Sequence, residues 1–551
     1  MNPTLCPVAV PFDDASPNTA LPTIEQPMTQ SSAATRRRTG VWVDTETSYY
    51  KWLVAGTVLL AGATQTFAGN SVNLAIPRIM AAFGTDLTTT QWVTTSFLIT
   101  RTLMVPILGW LGGFLGNRNL FIYSMLGFVI ASLGCGLAIN IPMLIAFRLM
   151  QGLVLGPLEG LTVILLINAF PPHQRGLAIG MRTIGWSTGQ IISFTIGGYF
   201  LEQVSWRMIF FIGIPSGLIS ALLGFMLLRQ EREFKGIPVD YAGLLALATF
   251  LVPLLLLISF GRRDDTETWA LLIFAGVALA GSIAFVAREL LAEFPAVNLR
   301  LFHNRGFCLL CATAFLNTMG LFGAQFMIPI FLQRVMGLTP LQAGLTIVPA
   351  LVVSAFGGTI SGRLTDIFSP RALILVSLGL LVFVFNVFST LTALTTVGTM
   401  VAYIIAYRLC LFSINTPITS LNVTILDHDQ VRMGQGLLGM VRNIGASLGV
   451  TISSVLFESF RAQHQLQAYT DYDAASPEHR ALFDEVARSL RDAGMNESTV
   501  PPMALRVIRQ HMSVEAVTAG FRDTFFAISF CFLLAMIPIL FVSRRMTRRE
   551  I

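Results

Sequence analysis

Two ionisable residues stand where an apolar helix ordinarily carries none. The run Arg148–Leu166 (RLMQGLVLGPLEGLTVILL) is apolar enough to lie in a bilayer, yet it holds Arg148 and Glu159. An ionisable side chain inside hydrocarbon costs at least about 2.5–3.5 kcal/mol on insertion scales, so such residues mark solute pathways, proton relays or coupling sites. Each residue turns about 100° around a helix, so Arg148 and Glu159 return to nearly one face, about 16 Å apart along it. They share a wall without pairing. Glu159 is the carboxylate that the pattern places well inside a span, and it is the candidate protonation site; Arg101, Arg148 and Arg182 are its candidate partners.

Neighbouring spans run in opposite directions, which puts Glu159 and Arg182 at similar depths and predicts a pair between them. A static pair is the alternative to a protonation role for Glu159. Arg101 and Arg148 fall nearer the outer half and have no counter-ion in the sequence. A guanidinium stays charged and grips carboxylate or phosphate as a fork, so these two, facing a cavity, favour an anionic or zwitterionic substrate. The structural alternative has Arg148 and Arg182 bracing backbone carbonyls or helix ends, with Arg101 snorkelling to water. Asn70 and Asn73 are candidate polar contacts for substrate or proton coupling, with polar glue between helices as the alternative, and the Gly152/Gly156 and Gly185/Gly189 spacings read as close packing surfaces.

The elements that position these residues are membrane spans. Of 551 residues, 54% are hydrophobic and 12% charged, and the mean hydropathy is +0.69. That is far too apolar for a soluble domain and defines an all-α polytopic membrane protein. Apolar segments of spanning length recur fourteen times between 52 and 543. The charge of +6 resides in tails and short loops instead of a basic face with interleaved aromatics, which excludes nucleic-acid binding. The six cysteines lie mostly in apolar runs, and Cys308-Leu-Leu-Cys311 lacks the second ligand pair of a metal site. No metal or cofactor is expected.

Residues 1–50 read as a disordered tail whose Arg36-Arg37-Arg38 faces the cytoplasm, and 544–551 as a second cytoplasmic tail, by the positive-inside bias. Between them the sequence predicts a six-helix bundle over 51–228, a linker with two extra spans over 229–306, and a second six-helix bundle over 307–543. The last includes a long outer loop at 458–522, with a helix-compatible stretch from Pro477 to Arg491.

The two bundles repeat each other. A shift of 260 places Arg148-Leu-Met on Arg408-Leu-Cys, Pro157 on Pro417, Leu161 on Leu421 and Leu166 on Leu426. The same shift carries Arg182-Thr-Ile-Gly185 onto Arg442-Asn-Ile-Gly445 and Gly189 onto Gly449. Such repeats enclose a substrate site near the midplane and rock about it. Arg148 has its mate in Arg408, whereas Glu159 faces Thr419.

Several stretches resemble a known family, the major facilitator superfamily, and within it the fourteen-helix drug:proton antiporters of the EmrB/QacA type. They are Asn73-Leu-Ala-Ile-Pro77, Gln91-Trp-Val-Thr-Thr-Ser-Phe97, Arg148-Leu-Met-Gln-Gly152, the run from Trp206 to Pro215, and Gly337-Leu-Thr-Pro-Leu-Gln-Ala-Gly344. The resemblance implies the major facilitator fold, two six-helix bundles with two extra central helices. It also implies drug efflux across a bacterial inner membrane and, in a two-membrane bacterium, a periplasmic adaptor and an outer-membrane channel as partners. Asp366, with Arg363 and Arg371, resembles the family's inner gate on the C-terminal half, and Arg442 an arginine common there. The chain departs from the pattern in its N-terminal half. Ala68 stands where the first helix usually has an acid, and Gly109-Trp-Leu-Gly-Gly113 lacks the gate aspartate that Gly362-Arg-Leu-Thr-Asp366 keeps.

The expected function is secondary active transport, export of an amphiphilic or anionic organic compound by alternating access with proton coupling or exchange. The alternative is a transporter-like sensor or scaffold that moves no solute. No nucleotide-binding loop or hydrolase motif points to an enzyme.

Overall fold

The computed structural model describes residues 49–104, 107–171, 174–230, 240–261, 267–292, 299–392, 394–426, 428–471 and 477–542; a few side chains inside helices, Gly109, Arg363 and Asp366 among them, lie outside that set. The tails expected at 1–50 and 544–551 fall outside it too, except Tyr49 and Tyr50.

In the N-terminal half the helices are α1 (Tyr50–Phe83), α2 (Leu87–Thr90), α3 (Trp92–Met104), α4 (Leu108–Leu115), α5 (Asn117–Gly136), α6 (Ile141–Leu155), α7 (Leu158–Ala169), α8 (Arg175–Gln203), α9 (Met208–Phe211) and α10 (Gly213–Leu227). Two further helices follow, α11 (Tyr241–Phe260) and α12 (Thr268–Leu291). The C-terminal half contains α13 (Arg305–Arg334), α14 (Pro340–Ile367), α15 (Pro370–Phe388), α16 (Val397–Ile425), α17 (His428–Asp471), α18 (Pro477–Asp492) and α19 (Val500–Phe541). Side-chain caps start many of them: Asn140 accepts from Met143 N, Asn304 from Gly306 N and Phe307 N, and Thr339 forms a capping box with Gln342.

Each of the fourteen apolar segments falls on a helix or on two consecutive helices. Among the described residues, eleven helical rods are long and apolar enough to cross a membrane. The three segments outside that set are the second, fifth and tenth, on α3 with α4, on α8 and on α14; the first two carry polar residues of the interior, Thr94 and Arg101 on α3 and Gln190 on α8.

The repeat extends to the packing. Gly185 and Gly189 of α8 lie against the backbone of Leu59 and Ala63 in α1, and Gly445 and Gly449 of α17 lie against Phe315 and Met319 in α13. At one end of the bundles, Arg118 donates to the Phe225 carbonyl at 2.5 Å, tying α5 to α10, and Arg371 donates to the Leu540 carbonyl at 2.5 Å, tying α15 to α19. α11 and α12 pack mainly on each other. α12 buries Ala278, Gly281, Phe285 and Glu289 and exposes Trp269, Leu272, Leu279 and Ile283, an apolar surface suited to lipid.

The halves meet toward the opposite end. Thr95 and Thr451 share a hydrogen bond at 3.4 Å between α3 and α17, and Gln91 bonds Ser454 beside them. The Leu341 amide donates to Glu202 at 3.2 Å between α8 and α14, and Gln333 donates to the Leu74 carbonyl at 3.0 Å between α1 and α13.

The expected outer loop at 458–522 is mostly helix. α17 has 44 residues and α19 has 42. At 1.5 Å per residue each exceeds about 60 Å, twice the hydrocarbon thickness, so both continue beyond the membrane as paired rods. The Phe457 and Phe521 rings stack at 4.3 Å and His464 meets Asp523 at 2.7 Å along this projection. α18 folds back onto α19 through Ala487, Val500 and Ala504.

Candidate functional site

Arg148 is not in the cavity. It is fully buried, its Nε donating to the Val93 carbonyl at 2.8 Å and its Nη1 to the Ala68 carbonyl at 3.0 Å and Gln151 Oε1 at 2.8 Å. The Phe97 ring covers the guanidinium at 4.4 Å, and Gln151 passes the connection to Ser132. One side chain thereby ties α6 to α1 and α3, and through Gln151 to α5. The expectation that Arg148 faces a substrate is corrected: a backbone carbonyl can accept beyond its own helical bond, and these two hold the guanidinium as a brace. The carbonyl of Ala68, at the position of the missing acid, is one of them.

Arg101, expected without a counter-ion, has one. Glu159 Oε2 lies 2.9 Å from Arg101 Nη2 and 3.1 Å from its Nε. The predicted direct pair between Glu159 and Arg182 does not form. Arg182 lies within electrostatic reach of Glu159 and stacks on Trp186 at 5.4 Å. Across from them, Asn443 and Arg442 of α17 stand within electrostatic reach of Glu159, so the carboxylate of the N-terminal half faces the other half. Arg148 and Glu159 do share a wall, since both reach α3.

Between the Thr95–Thr451 contact and Glu159 lies a cavity of about 200 Å³. The N-terminal half lines it with Gln65, Thr66, Gly69, Asn70 and Asn73 of α1, Thr94, Phe97, Leu98 and Arg101 of α3, and Trp186 and Gln190 of α8. The C-terminal half adds Leu321, Phe322 and Gln325 of α13 and Arg408, Leu411 and Asn415 of α16. Asn73 accepts from Thr94 at 3.1 Å, gluing α1 to α3, and Asn70 donates to the Thr66 carbonyl of its own helix at 2.9 Å. No carboxylate is among the lining residues. Arg148, Glu159, Arg182 and Arg442 lie outside the lining, whereas Arg101, Asn70, Asn73 and Arg408 belong to it.

Sequence reasoning missed Gln65, Gln190, Gln325 and Asn415. Their signal was available: each is an amide in the middle of an apolar span. A second internal offset was also hidden. A shift of 256 carries Leu59 onto Phe315 and Ala63 onto Met319, and takes Gln65, Thr66 and Gly69 onto Leu321, Phe322 and Gln325. The same positions of α1 and α13 line the cavity, with their chemistry exchanged.

Of the expected gate, Arg371 is engaged with Leu540, matching Arg118 in the other half. Gly113 lies in α4. The Gly109, Arg363 and Asp366 side-chain positions are outside the described residues.

Two pseudo-equivalent helical halves around a polar interior define a polytopic membrane transporter of the alternating-access class. The comparisons specify which. The Major Facilitator Superfamily model matches residues 58–450, and the chain belongs to that superfamily. By sequence it is 28% identical to the multidrug export protein EmrB of Escherichia coli (strain K12), covering 79% of this chain and 86% of EmrB. It is likewise 28% identical to the fatty acid resistance protein FarB of Neisseria gonorrhoeae, covering 86% of this chain and 92% of FarB. By fold it is similar to a bacterial homolog of the human lysosomal transporter Spinster, solved inward-facing and unoccupied, with TM-score 0.60 at 17% identity over 91% of this chain and 98% of that one.

Proposed function

We propose that the protein exports an amphiphilic organic anion by alternating access, and that the Glu159–Arg101 pair couples protonation to loading. The carrying observation is that one guanidinium both lines the cavity and is held by the one carboxylate beside it. Protonating Glu159 leaves the Arg101 charge uncompensated on the cavity wall, which raises the affinity of the cavity for an anion. Proton and anion loading then favour each other. Proton and anion then cross together as a neutral pair, a sign that suits exchange of one anion for another better than strict proton antiport. The names of EmrB, a multidrug export protein, and FarB, a fatty acid resistance protein, support export and an acidic amphiphile.

The cavity of about 200 Å³ is smaller than the roughly 300–1,000 Å³ of drug-sized sites. A substrate of that size enters only when the halves part. The remaining expectations complete the proposal: fourteen spans with both termini cytoplasmic in a bacterial inner membrane, Asp366, Arg363 and Arg371 with the Gly109–Gly113 segment as inner gate, and Asn70 and Asn73 as polar substrate contacts. In a two-membrane bacterium the α17–α19 projection would meet a periplasmic adaptor leading to an outer-membrane channel. An adaptor pull-down that survives deletion of α18 and the projecting turns removes that surface from the proposal.

The test of function is flux of a labelled medium-chain fatty acid in proteoliposomes across a range of pH. Native protein is expected to move it faster at lower pH; Glu159→Gln, which mimics the protonated acid, is expected to bind it more tightly and to lose the pH dependence. An unchanged pH profile in Glu159→Gln removes Glu159 from coupling. Absence of flux for every ligand and gradient would leave a sensor or scaffold instead.

A further inference from the structure

Arg101 and Arg408 are the two guanidinium groups on the cavity wall, and only the first is neutralised. Arg408 is 8% exposed, and among the described residues no carboxylate lies within ion-pair distance of it. Its Nε has no hydrogen-bond partner. The amide of Gln325 lies 3.2 Å from both terminal nitrogens, its oxygen being the atom that can accept, and the Tyr407 ring stands 5.6 Å away. A buried cation answered only by a neutral amide is costly unless an anion completes it.

The mate in the repeat shows what a brace looks like here. Arg148 uses two backbone carbonyls, a glutamine and a ring, and has no place on the cavity wall. Among the described residues no backbone carbonyl accepts from Arg408, which lines the cavity instead. The difference follows from α1 and α13: Gly69 of the first leaves space where Gln325 of the second holds an amide beside the guanidinium.

We infer that Arg408, with Gln325, is the docking point for the acid group of an organic carboxylate whose apolar body lies along the cavity wall. The guanidinium supplies one donor from a terminal nitrogen, and the Gln325 amide nitrogen, left over when its oxygen faces Arg408, supplies a second for the other carboxylate oxygen. Leu321, Phe322 and Leu411 on the same half, with Phe97 and Trp186 opposite, offer apolar contact for the chain beyond it. The inference rests on the reading of this cavity as a substrate site and deepens it, because it names the group recognised and the residue that selects it.

The test is equilibrium binding to the full chain in phosphatidylcholine nanodiscs, with decanoate, decan-1-ol, decyltrimethylammonium and acetate as probes. Decanoate is expected to bind best and acetate to bind no better than background. Arg408→Gln is expected to weaken decanoate by at least about tenfold, the worth of one charged hydrogen bond, and to leave decan-1-ol within about twofold. Gln325→Glu keeps the arginine but supplies its own carboxylate, so it is expected to produce the same selective loss. That variant decides the matter if Arg408→Gln does not fold. Equal losses for decanoate and decan-1-ol, or decanoate binding unchanged in Gln325→Glu, overturn the inference. Binding and flux separate the two proposals: selective binding without flux leaves Arg408 as the anion site and removes the exporter reading, and flux that is indifferent to Arg408 does the reverse.

Discussion

Arg148 and Arg408 occupy matching positions in the two halves and have opposite surroundings. Arg148 is enclosed by Val93, Ala68, Gln151 and Phe97, whereas Arg408 faces the cavity with Gln325. The first is accordingly a residue of stability. Arg148→Gln removes charged hydrogen bonds that tie α6 to α1 and α3, each worth about 1.5–3 kcal/mol. Arg148→Lys is expected to fail similarly, because one ammonium cannot span both carbonyls as a planar fork does. Both variants should unfold at lower temperature in a detergent melt, with decanoate affinity of the folded fraction unchanged within about twofold. A variant as stable as the native protein but unable to bind decanoate would return Arg148 to the site.

At the scale of elements, the close approaches of glycine explain why the repeat was visible. Gly189 and Gly449 carry their helices against the carbonyls of Ala63 and Met319, where any Cβ would overlap backbone. Gly449→Ala should therefore cost about 1–3 kcal/mol through overpacking. Gly436→Ala in the same helix meets nothing within 4 Å and should be neutral or slightly stabilising. Equal melting temperatures for the two variants would contradict the packing described. Because packing fixes residue type, the shift of 260 could be read from the amino acids, and with it the family resemblance and the paired glycines. The cavity could not be read in the same way. Gln65, Thr66 and Gly69 match Leu321, Phe322 and Gln325 in place but in no side-chain property, so comparing the halves conceals the match. The partner of Glu159 depended on how α3 is rotated against α7, which no spacing within one helix encodes. Hydropathy finds where a helix leaves the bilayer and is silent on whether it continues, so α17 and α19 looked like the edges of a loop.

For the whole molecule, the halves are joined at two levels with the cavity between them. Above it are Thr95 with Thr451 and Gln91 with Ser454; below it Glu159 faces Asn443 and Arg442 across the seam. A substrate passing between the two sides must open each level in turn, and the upper one joins residues of α3 and α17 whose hydroxyls are 3.4 Å apart. Cysteine sulfurs in the place of those hydroxyls would lie near enough to close to an S–S bond of about 2.05 Å with a small movement of the side chains. Thr95→Cys with Thr451→Cys, in a chain whose six native cysteines are replaced, should cross-link on mild oxidation and fix the upper level shut. Efflux from proteoliposomes should then stop, and a reductant should restore it, while decanoate still binds from the lower side. Each single cysteine variant should transport through the same treatment. A cross-linked protein that carries substrate at the reduced protein's rate would mean that the path does not run between α3 and α17, and the two-level account of alternating access would have to be abandoned.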